Sequence, residues 1–116
     1  MEYRPLGRTG IKVSPLCLGG MMLGWWGEND YAASEKLILR AVDAGINFID
    51  TADMYAGGQS EEFIGECLAR HGLRDRIVLA TKVHFPMGDD PNQGGNGRRW
   101  ILRAVDDSLR RLRTDW

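Results

Sequence analysis

Ile77-Val78-Leu79-Ala80-Thr81-Lys82 is apolar for four residues and then ends on a hydroxyl and an ammonium. A run apolar on successive residues is what a strand of a parallel sheet needs when helices cover that sheet. Upstream, Asn47-Phe48-Ile49 passes into Asp50-Thr51-Ala52, and Leu16-Cys17-Leu18 passes into Gly19-Gly20. Both are short apolar runs that stop at residues suited to a loop. Helical stripes separate the three runs. Leu37, Ile38, Ala41 and Val42 form the first, with Ser34 or Asp30 as cap and Gly45 just past its end. Phe63, Ile64, Cys67 and Leu68 form the second, capped by Ser60, with Glu61 and Glu62 in the first turn and Gly72 at the exit. After a polar, glycine-rich stretch from Gly88 to Gly97, the third stripe is Ile101, Ala104, Val105, Ser108, Leu109 and Leu112, with arginines outside it. At the front, Met1 to Val13 reads as a hairpin turning at Arg8-Thr9-Gly10.

Strand and helix alternating three times predict right-handed crossovers that build a parallel sheet. An open doubly wound sheet and a closed eight-fold barrel both begin in this way. The glycines from Gly19 to Gly24 lack the spacing of a dinucleotide fingerprint, and Gly88 to Gly97 lacks the lysine ending of a phosphate-binding loop. The polar residues are more informative. Asp50 and Lys82 each end an apolar strand, and Tyr55 follows Asp50 by five residues. Strand C-termini gather at the ligand-binding face of α/β folds, so the three side chains are expected to converge there. Alternation puts Val78, Ala80 and Lys82 on one face of their strand. A structural salt bridge accounts for Asp50 and Lys82 but leaves Tyr55 unused. A phenol, with an ordinary pKa of about 10, becomes a usable acid when a neighbouring cation stabilises its phenolate. With Asp50 holding Lys82 charged and fixed, the trio is a proton donor suited to a carbonyl oxygen receiving hydride at carbon.

The stretch Gly45-Ile46-Asn47-Phe48-Ile49-Asp50-Thr51-Ala52-Asp53-Met54-Tyr55 resembles the aldo-keto reductase signature, and Thr81-Lys82-Val83 resembles the strand end that bears the family lysine. Leu6 to Ser14 is similar to the hairpin closing the bottom of the family barrel, and Ser108 to Trp116 to its third helix and the approach to strand four. Order and spacing match along essentially the whole chain, most closely in the branch of bacterial reductases and voltage-gated potassium-channel beta subunits. The resemblance implies a (β/α)8 TIM barrel, present in residues 1–116 as the hairpin and about three βα units of one domain. It also implies NADP(H) as cofactor and an aldehyde or ketone as substrate, with neither a metal nor a covalent intermediate. Asp50 carries over as the acidic member near the nicotinamide ribose, Tyr55 as the general acid and Lys82 as its partner. Gly20 and Met21 match the loop beside the nicotinamide. Trp25, Trp26 and His84 are candidates for the pocket wall.

In the family a histidine ends strand four, and the last two strands supply the grip on the 2′-phosphate. The expectation is therefore a longer reductase, of which this is the N-terminal part. Three open βα units leave strand edges and an apolar inner face that the remainder of the barrel, a complementing chain or self-association would cover. Two other readings share the same residues: a cofactor-binding regulatory module of the channel-beta-subunit kind, and an inactive fragment.

Composition narrows the classes further. Fifteen Lys plus Arg against sixteen Asp plus Glu give a net charge of −1, which supplies no general attraction to nucleic acid or anionic membrane. Cys17 and Cys67 fit no metal-binding or redox motif and are expected to be buried free thiols. No apolar run is long enough for a signal or a membrane span, and the chain reads as cytoplasmic.

Overall fold

A computed structural model describes residues 1–116. Strands β1 (Arg4–Pro5) and β2 (Lys12–Val13) pair antiparallel, which gives the expected hairpin. Its turn is closed by Leu6 N–H on Ile11 O at 2.8 Å and Thr9 N–H on Leu6 O at 3.2 Å. There follow β3 (Leu18–Gly19), α1 (Tyr31–Asp43), β4 (Phe48–Asp50), a 3-10 turn (Tyr55–Gly58), α2 (Gln59–Arg70), a second 3-10 turn (Arg74–Arg76), β5 (Val78–Ala80) and α3 (Arg98–Leu112). Strands β3, β4 and β5 form a parallel sheet in chain order. The chain is thus α/β, with one small antiparallel pair and one parallel sheet.

Register explains how the core is divided. Leu18, Ile49 and Leu79 stand side by side across the sheet. Ile49 is fully buried against Ile38 and Val42 of α1, Ile64, Cys67 and Leu68 of α2, and Leu112 of α3. Leu18 and Leu79 pack on the edge of that cluster. The next residues in register, Gly19, Asp50 and Ala80, turn to the opposite face, which Phe48 and Val78 share. All three helices therefore cover the Ile49 side. A doubly wound sheet would divide them between both faces.

Helix α1 is capped by Asp30, whose carboxylate accepts from Ala32 N–H at 3.3 Å and Ala33 N–H at 3.1 Å. Gly45, at φ 93°, follows its end as expected. The buried stripe is Ser34, Ile38 and Val42, spaced by four, whereas Leu37 of the predicted stripe is exposed. The expected cap of α2 is also corrected. Gly58, in a left-handed conformation at φ 100°, precedes the helix, and Ser60 lies inside it with its hydroxyl directed at the sheet. In α3 the buried line is Trp100, Ala104, Ser108 and Leu112. Ile101 and Val105, assigned to that face from sequence, are exposed, and Arg111, placed outside, is largely covered. Gly65 brings α2 and α3 close together, because a Cβ there would overlap the backbone of Arg111 and Leu112.

Both cysteines are free thiols, but only one is buried. Cys67 sits in the core, where loss of hydration pushes its pKa up to about 11. Cys17 lies just before β3 and is exposed, because the strand starts two residues later than the apolar run suggests. No helix is long and apolar enough to cross a membrane.

Candidate active site

The parallel ladder continues beyond the strand ends, and this continuation positions the site. Thr51 N–H donates to Ala80 O at 2.8 Å, and Asp53 N–H donates to Lys82 O at 3.0 Å. Asp50 and Lys82 therefore leave the sheet side by side on its helix-free face. The Lys82 ammonium donates to Asp50 Oδ2 at 2.6 Å and to Thr51 O at 2.8 Å. Both side chains are well exposed, so the pair is a solvated rim contact and not a buried bridge. Burial acts to lower the Lys82 pKa. The hydrogen bond and charge of Asp50, joined by Tyr55, outweigh it and hold the ammonium above the ordinary lysine value.

Tyr55 arrives by a sharp reversal. Ala56 and Gly57 take left-handed backbone angles, φ 49° and 64°, before Gly58 opens α2. Such a conformation costs a non-glycine residue about 1–2 kcal/mol, and buried Ala56 is held in it by close packing against Gly24. The reversal turns the Tyr55 ring toward Lys82, whose Nζ stands 5.0 Å from the ring centroid. The Trp26 ring lies 6.0 Å away on another side. Tyr55, Lys82, Val83, His84 and Phe85 line a cavity of about 190 Å³ at this rim. Larger hollows, such as one of about 750 Å³ along α3 between Asp106 and Asp115, are shallow and polar and lie away from these groups.

The remaining expected residues separate into two groups. His84 lines the cavity and is held by Asn96 Oδ1, 3.0 Å from its Nδ1. Gly20 lies directly behind Asp50, with its N–H on Asp50 O at 2.7 Å and its carbonyl accepting from Ser60 Oγ at 2.7 Å. A Cβ at Gly20 would come within 2.9 Å of that hydroxyl, so packing against α2 alone requires glycine here. Met21 is exposed. Trp25 is exposed, its backbone N–H donating to Gln59 Oε1 at 2.8 Å and its ring standing edge-on to Trp26 at 5.8 Å between centroids. His71 pairs with Glu35 at 3.0 Å on the far side of α2.

Sequence reasoning did not find the polar layer beneath the site. Glu61 is fully buried, with Oε1 accepting from Thr81 Oγ1 at 2.6 Å and Oε2 from Arg111 Nε at 2.6 Å. Close by, Asp53 is 2% exposed, and neither carboxylate oxygen has a hydrogen-bond partner. Lost hydration first, and the charge of Glu61 second, raise its pKa, and the more distant charge of Arg111 only partly offsets them. A carboxyl whose folded pKa is raised binds more protons folded than unfolded, so its stability contribution is lost as pH rises from the ordinary carboxylate value. Asp53→Asn mimics the protonated form. It is expected to melt higher than the parent at pH 7 and to lose that advantage as pH falls toward the ordinary carboxylate value of about 4; melting scans across pH provide the measurement.

An exposed ammonium tied to a carboxylate beside a phenol thus stands on the helix-free face of a parallel sheet. Residues 15–116 match the model of the aldo/keto reductase family, and the chain belongs to that family. Among its relatives, an uncharacterized oxidoreductase, YrpG of Bacillus subtilis, is 43% identical over 99% of this chain and 37% of its own length. The aldo-keto reductase YhdN of the same organism is 39% identical over 100% of this chain and 36% of its own. The solved structure of the aldo-keto reductase AKR11C1 from Bacillus halodurans, in its holo form, superposes with TM-score 0.83 at 38% identity, covering 100% of this chain and 38% of that one. The chain thus spans less than two fifths of the length of these relatives.

Proposed function

We propose that this chain supplies the first βα units and the proton-donating half of a (β/α)8 barrel that reduces an aldehyde or ketone to an alcohol with NADPH. The observation that carries the reading is the contact set at one rim: Lys82 Nζ at 2.6 Å from Asp50 and 5.0 Å from the Tyr55 ring, beside a cavity of about 190 Å³. Closure into a barrel is supported by the one-sided placement of all three helices. Ile101 and Val105 of α3 stay uncovered at 38% and 45% exposure, where a following helix would pack.

The residues present suit the nicotinamide end of the cofactor. Asp50 offers an exposed carboxylate for a ribose hydroxyl, and Met21 offers an exposed apolar side chain near it. When bound, the cofactor supplies the hydride. The chain's own task is the proton. A carbonyl oxygen seated in the cavity accepts a hydrogen bond from the Tyr55 hydroxyl, and that proton passes to the oxygen as it gains negative charge. Lys82 offsets the charge left on the phenol oxygen, and Asp50 with Thr51 O keeps the ammonium aimed there. His84, held by Asn96, forms part of the wall that receives the carbonyl substituent.

The test is NADPH consumption over a panel of simple aldehydes and ketones, using a barrel-length protein that carries this chain. Turnover of at least one carbonyl class is expected. Absence of turnover across the panel, from protein that is folded and retains NADPH, would overturn the reductase reading.

A further inference from the structure

Glu61 joins the two halves of the site by a path that lies outside the cavity. Its residue is in the first turn of α2, directly after the Tyr55–Gly58 reversal. One carboxylate oxygen accepts from Thr81, the residue immediately before Lys82. Adjacent residues of an extended chain point to opposite faces, so a hydroxyl fixed on the helix side sets the direction in which Lys82 leaves on the other. The second oxygen is taken by Arg111 of α3, whose side chain also supports the reversal from beneath: a Cβ on Gly58 would come within 2.8 Å of Arg111 Cδ. Glu61 is 0% exposed, and both its oxygens are occupied. A carboxylate in this setting is fixed in place, and through it the turn carrying Tyr55 and the strand end carrying Lys82 share one support.

We infer that Glu61, acting through Thr81, is a positioning residue for carbonyl reduction, setting the distance between the Tyr55 hydroxyl and the Lys82 ammonium. The inference rests on the reductase reading. Displacements of about 1 Å among reacting groups reduce rates by as much as a hundredfold.

The decisive variants are Thr81→Val, which removes the hydroxyl at nearly constant volume, and Thr81→Ser, which restores it. In the barrel-length protein, Thr81→Val is expected to lower kcat about ten- to a hundredfold, with KM for the carbonyl little changed, and Thr81→Ser is expected to recover most of the loss. Glu61→Gln, which keeps size and one acceptor, is expected to show the same split between kcat and KM. Should Thr81→Val fail to fold, Glu61→Gln and Thr81→Ser carry the comparison. A folded Thr81→Val with parental kcat, or a Thr81→Ser as slow as the valine variant, would overturn the inference. Tyr55→Phe, measured alongside, separates the two levels. If the parent turns over no carbonyl, the reductase reading fails; if Tyr55→Phe keeps parental turnover, the proton-donor role of Tyr55 fails; if it abolishes turnover while Thr81→Val does not, only the positioning role fails.

Discussion

Tyr55→Phe is expected to lower carbonyl reduction by about 10²- to 10⁴-fold, the range that a positioned proton donor contributes, while leaving NADPH binding nearly intact. The substitution removes one oxygen from a ring that stays packed. Trp26, 6.0 Å away, and the Lys82 ammonium, 5.0 Å from the centroid, meet the ring itself, and phenylalanine presents the same surface to both. Asp50, proposed to face the ribose, keeps its partner Lys82. Cofactor titration by fluorescence together with steady-state turnover gives both quantities on one preparation. Parental turnover in the phenylalanine variant would remove Tyr55 from the reaction, and lost NADPH binding would show that its role is in holding the cofactor.

The sequence discloses this site because the rule involved is topological. In a parallel sheet the strand C-termini share one edge, so Asp50 and Lys82, 32 residues apart, meet at 2.6 Å. The apolar runs are readable for a related reason: Ile49, Leu79 and Ile77 serve the helix-covered face, while Phe48 and Val78 face the other way and are apolar too. Helix faces are harder to orient. In helix α3 periodicity rightly selected Ala104, Ser108 and Leu112 but added Ile101 and Val105, which are exposed, and passed over Trp100, which is buried. The polar layer was hidden more deeply. Glu61 in a first helical turn has an ordinary explanation in the helix dipole, and its partner, Arg111, is 50 residues away in a helix crowded with other arginines. Ser60 misled in the same way. A serine near a helix start reads as a cap, yet its hydroxyl is spent on Gly20 O at 2.7 Å and on Thr51 Oγ1 at 2.8 Å.

Replacing Arg111 with methionine is expected to destabilise the barrel-length protein by about 3–5 kcal/mol, because it strands the charge of buried Glu61. Thr81 continues to donate to one oxygen, but a single neutral hydroxyl does not compensate a carboxylate at 0% exposure, and Asp53, also buried, adds repulsion nearby. Denaturant unfolding measures the loss as a fall in midpoint at constant slope. A loss below about 1 kcal/mol would mean that water reaches the carboxylate once the guanidinium is gone, as at a surface pair. The paired replacement, Glu61→Leu with Arg111→Met, removes both charges and is expected to recover most of the stability, since apolar residues of similar volume substitute well for a buried ion pair. The pair also divides structure from function. If Glu61 only holds helices together, the double variant regains its rate along with its stability. If it aims Lys82 through Thr81, the double variant is stable and still slow, because the Thr81 hydroxyl has lost the oxygen that fixed it.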